Sequence, residues 1–139
     1  MLLQSLVEGS QRIRATSKRL EKVSILAQLI RSLHSDEIEI AVPFLSGSTR
    51  QGNIGIGYAT LRDAMTAPAF SPSLELRDVD ATLEAITTMR GSGSESRKRE
   101  LLSTLLARAT EPEQHFLMAL LTGELRQGAL EGIMLDGLA

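Results

Sequence analysis

The chain aligns with itself. Shifted by 76 positions, residues 22–52 fall on residues 98–128 without a gap. The identical pairs are Lys22/Lys98, Leu26/Leu102, Leu29/Leu105, Glu37/Glu113, Leu45/Leu121, Gly47/Gly123, Arg50/Arg126, Gln51/Gln127 and Gly52/Gly128. Nine identities over thirty-one positions stand against about two expected by chance from such a composition. Each unit reads in the same order. A Ser-rich basic helix start leads into an apolar helix. A second helix opens on acid, and Gly-x-x-Arg-Gln-Gly follows. Units of this kind, at roughly residues 16–66 and 92–139, imply one domain over residues 1–139 with an internal pseudo-two-fold axis.

The periodicity between these landmarks is helical. Leu2, Leu3, Leu6, Val7, Ser10 and Ile13 predict an amphipathic helix over 2–14. A second runs from a Ser17 cap to about Leu33, with Leu20, Val23, Leu26, Ala27, Ile30 and Leu33 as its apolar stripe. Residues 36–46 read as a third helix, opened by Asp36, Glu37 and Glu39 and stopped or kinked at Pro43. Shorter helices are expected over 58–65 and 78–89, and another from a Ser92 or Ser94 cap to Ala109. Thr110 and Glu113 have the spacing of a capping box, with Pro112 in the tolerated first turn. A last helix is expected over 129–138. The class is therefore all-α, with seven or eight helices and no strand.

Composition narrows the chemistry. At 139 residues, a chain can bury roughly 70% of its unfolded surface, so it needs no staples. Without cysteine, disulfides, thiolate zinc sites and thiol nucleophiles are excluded. His34 and His115 lack ligand spacing, and no nucleophile–base set or paired carboxylates emerge. Gly52-Asn53-Ile54-Gly55-Ile56-Gly57 is glycine-rich, but it follows a helix rather than the strand a dinucleotide site requires. No apolar stretch approaches the roughly 20 residues of a membrane span, and the N-terminus lacks a signal core. The expected address is the cytosol.

The net charge of −2 hides a segregation. Arg12, Arg14, Lys18, Arg19, Lys22 and Arg31 cluster against the single acid Glu21, and Arg97, Lys98 and Arg99 open the second unit. Asp36, Glu37 and Glu39, then Glu75, Asp78, Asp80 and Glu84, are read as gathered elsewhere. The repeated loop has its own chemistry. Glycines let a backbone approach a ligand closely, and arginine offers a planar fork matched to phosphate oxygens. A surface Arg–Gln pair between glycines has no evident packing duty. Two such loops suit one grip on each strand of a duplex, which positions a protein without reading sequence. Scarce aromatics argue against single-strand stacking alone.

Three stretches carry a family likeness. They are Phe44-Leu45-Ser46-Gly47, the run Arg50-Gln51-Gly52-Asn53-Ile54-Gly55-Ile56-Gly57-Tyr58, and the run from Gly123 to Gly132. They resemble the N-terminal DNA-binding domain of ATP-dependent DNA ligases, particularly the bacterial type. Thr16 to Val23 and Gly91 to Lys98 fit that family's helix starts. The resemblance implies an all-helical, pseudo-symmetric domain that grips double-stranded or nicked DNA across the minor groove, in repair, replication or recombination, within a bacterial cytosol or nucleoid. The family's loop contacts would fall on Arg50, Gly52, Gly55 and Gly57, and on Gly123, Arg126 and Gly128. Its helix-start contacts would fall on Ser17, Lys18, Ser94, Ser96 and Lys98. Gln51 and Gln127 join them on the loop chemistry described above.

One departure is plain. The family's adenylated lysine lies in Lys-x-Asp-Gly, and Lys18, Lys22 and Lys98, the only lysines, are not so followed. The chain is therefore expected not to ligate by itself. It would hold no cofactor, since ATP and a divalent metal belong to catalytic domains joined in cis, which are expected beyond Ala139. The competing reading is a helical scaffold for protein association with no nucleic-acid role.

Overall fold

The computed structural model describes residues 1–125. They form seven helices: α1 (Leu3–Ala15), α2 (Arg19–Arg31), α3 (Ser35–Ser46), α4 (Tyr58–Ala64), α5 (Leu76–Thr88), α6 (Ser94–Ala107) and α7 (Glu111–Thr122). Among the described residues there is no strand, only an isolated bridge between Leu2 and Glu75. The class is all-α. The helix expected over 129–138 lies outside the described residues.

Packing follows the apolar stripes. α1 lies against α2, α3 and α7, while α5 bridges α3 and α6, and α6 covers α4. One contiguous core results, with Leu3, Leu26, Leu61, Leu83, Ile86, Leu102 and Leu117 fully buried. Phe44 of α3 meets Phe116 of α7 edge to face, with ring centroids 6.4 Å apart. This contact ties together the two helices that carry the repeated loops. Close approach of α1 and α2 depends on Gly9, because a Cβ there would lie 2.4 Å from Leu29 Cδ1.

Helix ends show which local signals prevailed. At Thr110 the capping box forms: its Oγ1 accepts from the Glu113 N–H at 3.4 Å, and Glu113 Oε1 accepts from the Thr110 N–H at 2.7 Å. At the matching position 76 residues earlier, Glu37 Oε1 accepts from the His34 N–H at 2.9 Å. Burial pushes the Glu37 carboxyl up. Hydrogen bonds from the Met1 ammonium and the His34 N–H, with the charges of that ammonium and Arg77, outweigh burial and hold it below the ordinary carboxylate range.

Three expectations are corrected. The early stop expected at Pro43 does not occur, since α3 runs on to Ser46. Proline removes the bond its own N–H would make to the carbonyl of Glu39 and crowds that carbonyl, and Glu39 faces water. The caps of α2 and α6 are Lys18 and Gly93, not Ser17 and a serine beside Gly93. Gly91 and Gly93 both have positive φ, and that sharp turn places Ser94 inside the first turn of α6. Leu20 is 85% exposed and does not join the core. In α2 only Leu26 is fully buried, whereas α6 buries Leu102, Leu105 and Leu106.

Candidate nucleic-acid interface

α3 and α7 end in the same way. Gly47 and Gly123 adopt φ of 86° and 81°, the left-handed conformation that suits glycine at a helix C-terminus. Three hydrogen bonds around them recur at the 76-residue offset. The Gly47 and Gly123 N–H groups donate to the carbonyls of Phe44 and Leu120 at 3.1 and 3.3 Å. Those of Ser48 and Glu124 donate to Pro43 and Ala119 at 2.8 and 2.9 Å. The Ser46 and Thr122 hydroxyls donate to Val42 and Met118 at 3.1 and 2.8 Å.

The two helix ends come together in space. Gly47, Ser48, Thr49, Gly52, Asn53 and Ile54 from the first loop face Leu120, Leu121, Thr122 and Gly123 across an open groove of about 560 Å³. The first loop is shaped by short bonds of its own. Thr49 is buried, and its hydroxyl donates to the Gly52 carbonyl at 2.9 Å while the Gly52 N–H returns to Thr49 O at 3.0 Å. Asn53 Oδ1 then accepts from the Gly55 N–H at 2.9 Å. Gly52 and Gly55 have positive φ, of 76° and 75°. A β-branched residue at either position would be strained.

Beyond the groove the loop is fastened to the start of α6. Lys98 Nζ donates to the Gly55 carbonyl at 3.4 Å and lies 3.8 Å from Glu95 Oε1. Glu95 in turn accepts from the Thr60 hydroxyl at 3.1 Å. Gly55, Lys98 and the first turn of α6, with Ser94 and Ser96, therefore form one junction. Gly57 caps α4 just after it. Lys98 is only 8% exposed, so it is a built part of this junction and not the free helix-start cation expected from the sequence. Ser17 and Lys18 stand apart, exposed at the start of α2, where Lys18 Nζ lies 3.7 Å from Glu21. Arg126, Gln127 and Gly128 lie outside the described residues.

Arg50 and Gln51 require the largest correction, because both have a packing duty. Arg50 presents Nε and Nη2 to the two Asp80 carboxylate oxygens, each at 3.1 Å, and Nη2 also reaches Glu84 at 3.0 Å. Gln51 Nε2 donates to the same carboxylates at 2.9 and 3.0 Å. Gln51 Oε1 is buried without a partner among the described residues. The Asp80 hydrogen bond, and next its charge, hold the Arg50 guanidinium above its ordinary pKa, and Glu84 adds to this. The acids of α5 are thus not gathered away from the basic loop. Asp80 and Glu84 are i and i+4 on one helix, so both carboxylates share a face. That spacing was visible in sequence, but the partner thirty residues earlier was not. Thr49 and Asn53 were likewise missed.

The described residues contain no cluster of His, Asp and Glu that could hold a metal ion. No helix among them is long and apolar enough to cross a membrane. The arrangement offers glycine-shaped backbone at two helix ends and cationic side chains at two helix starts.

A family model described as DNA ligase N terminus matches residues 65–139. This chain belongs to the DNA ligase N-terminus family. Along its whole length the domain is 45% identical to a probable DNA ligase of Streptomyces avermitilis and 46% identical to one of Rhodococcus jostii. It is 48% identical to one of Anaeromyxobacter dehalogenans over 142 aligned positions. The ligase N-terminal domain spans 27% of the first of these proteins and 28% of the other two.

Proposed function

We propose that this ligase N-terminal domain binds duplex and nicked DNA without sequence preference, through backbone phosphates across the minor groove. The observation that carries this reading is the convergence of the two glycine-ended helices, α3 and α7, on one groove. A pseudo-two-fold pair of backbone grips matches the local two-fold symmetry of antiparallel strands. Ser17 and Lys18 at the start of α2, and Ser94, Ser96 and Lys98 at the start of α6, would add hydroxyls and cations to the loops' contacts. Contacts of this type fix position and orientation while leaving base edges unread. In the whole protein the domain would hold a nick for catalytic domains in cis, and those domains would supply the ATP and divalent-metal chemistry. Repair or replication of DNA is the setting this implies.

The test is a fluorescence-anisotropy titration of the 139-residue chain with two nicked duplexes of unrelated sequence. Saturable binding of both with equal affinity is expected. Absence of binding, together with self-association in a sizing column, would establish the helical-scaffold reading instead. A strong preference for one sequence would exclude a backbone grip.

A further inference from the structure

Resting on the DNA-binding reading, we infer that Asp80 and Glu84 are positioning residues for the DNA-gripping loop: a carboxylate clamp on α5 that holds Arg50 and Gln51 and so sets the backbone of Gly52–Gly55 against the groove.

The geometry carries this in three steps. The clamp is multivalent, since a planar guanidinium engages one carboxylate with two bonds and a second carboxylate with a third. A neighbouring amide bridges both acids and reaches the Asp80 carbonyl at 3.4 Å. A bidentate fork restricts orientation as well as distance, which a single surface ion pair does not. The clamped residues also immediately precede Gly52, and the loop is fixed at its far end by Lys98 on Gly55. The segment between is therefore held at both ends, by α5 and by α6. Finally, Arg50 already meets both acids through Nε and Nη2. A phosphate brought to it would face two carboxylates, so direct gripping by this side chain is disfavoured. The loop's contribution passes to its backbone, and Arg50 acts by placing it.

This account predicts an effect opposite in sign to simple electrostatics. Asp80→Asn with Glu84→Gln removes two negative charges from the vicinity of a polyanion, which by charge alone should tighten binding. If the acids position the loop, affinity for nicked duplex instead falls about five- to tenfold, and the salt slope stays unchanged because no phosphate contact is removed. Amide hydrogen exchange in residues 49–57, measured without DNA, becomes faster while exchange in α1 and α7 stays at the parent rate. Exchanging the partners, Arg50→Asp with Asp80→Arg, restores slow exchange and most of the affinity. Unchanged exchange in α1 and α7 separates this from a merely structural role, and a direct phosphate contact by Arg50 would not produce the rescue.

Tighter binding by the Asn/Gln variant would show that the acids mask the loop, and would overturn the inference. Unchanged loop exchange would overturn it as well. Parental affinity in the Asn/Gln variant, with the parent binding DNA normally, would sink the clamp alone. A parent that binds no DNA would instead remove the reading on which the clamp rests.

Discussion

Replacing Phe44 by Ala is expected to lower the unfolding free energy by about 3–5 kcal/mol. Phe44 is 1% exposed and packs edge to face on Phe116. Truncation removes most of a large buried side chain and leaves a cavity between α3 and α7. A domain of this size holds about 5–15 kcal/mol in total, so the loss is a large share of its stability. The thermal midpoint should drop by roughly 10–20 °C, with an unchanged denaturant slope if folding stays two-state. The informative comparison is Phe70→Ala, because Phe70 is fully exposed on the loop before α5. That variant should stay within about 0.5 kcal/mol of the parent. A loss below about 1 kcal/mol for Phe44→Ala would mean that α3 and α7 are not joined by this ring pair. The consequence extends to function, since the helices bridged by the two rings end at Gly47 and Gly123.

The second large effect is on DNA affinity. With one cation on a phosphate at each helix start and neutral backbone contacts at the loops, about two counterions are released on binding. Affinity should then fall about tenfold between roughly 50 and 200 mM salt, with a log–log slope of about −1.8. Lys18→Ala removes one exposed helix-start cation and should reduce that slope by about one, weakening all sequences equally. A slope near zero for the parent would mean that no cation meets a phosphate, which would contradict the helix-start contacts. Because Lys18 lies at the start of α2, outside both the core and the groove, its removal should leave the thermal midpoint unaltered.

What could be read from sequence was what depends on near neighbours. The Thr110–Glu113 capping box, the apolar spacing of α1 and the glycines that follow α3 and α7 are all signals carried within one or two helical turns. The 76-residue register paired Gly47 with Gly123, and the same terminal hydrogen bonds occur at both. What was not legible depends on which surfaces meet. Arg50 looked free because its acids lie thirty and thirty-four residues away on α5. Lys98 looked like a solvated helix-start cation because nothing local announces the Gly55 carbonyl that receives it. Leu20 fits an apolar stripe by spacing, yet α2 finds no core at that level. Pro43 is discouraging in isolation, but the carbonyl it leaves unpaired is on the solvent side, where water replaces the lost bond at little cost. Charge segregation failed for the same reason: the acidic run at 75–84 is distant in sequence and adjacent in space.

The central claim is that the two glycine-ended loops face the DNA backbone together, and a residue-resolved amide NMR titration of the domain with nicked duplex tests it most directly. The account predicts that the amides of Gly52, Asn53, Gly55, Ser94 and Gly123 shift in one concerted transition, with Phe70 and the centre of α1 unmoved. Shifts confined to the Phe70 loop, or present at Gly52–Gly55 and absent at Gly123, would contradict it.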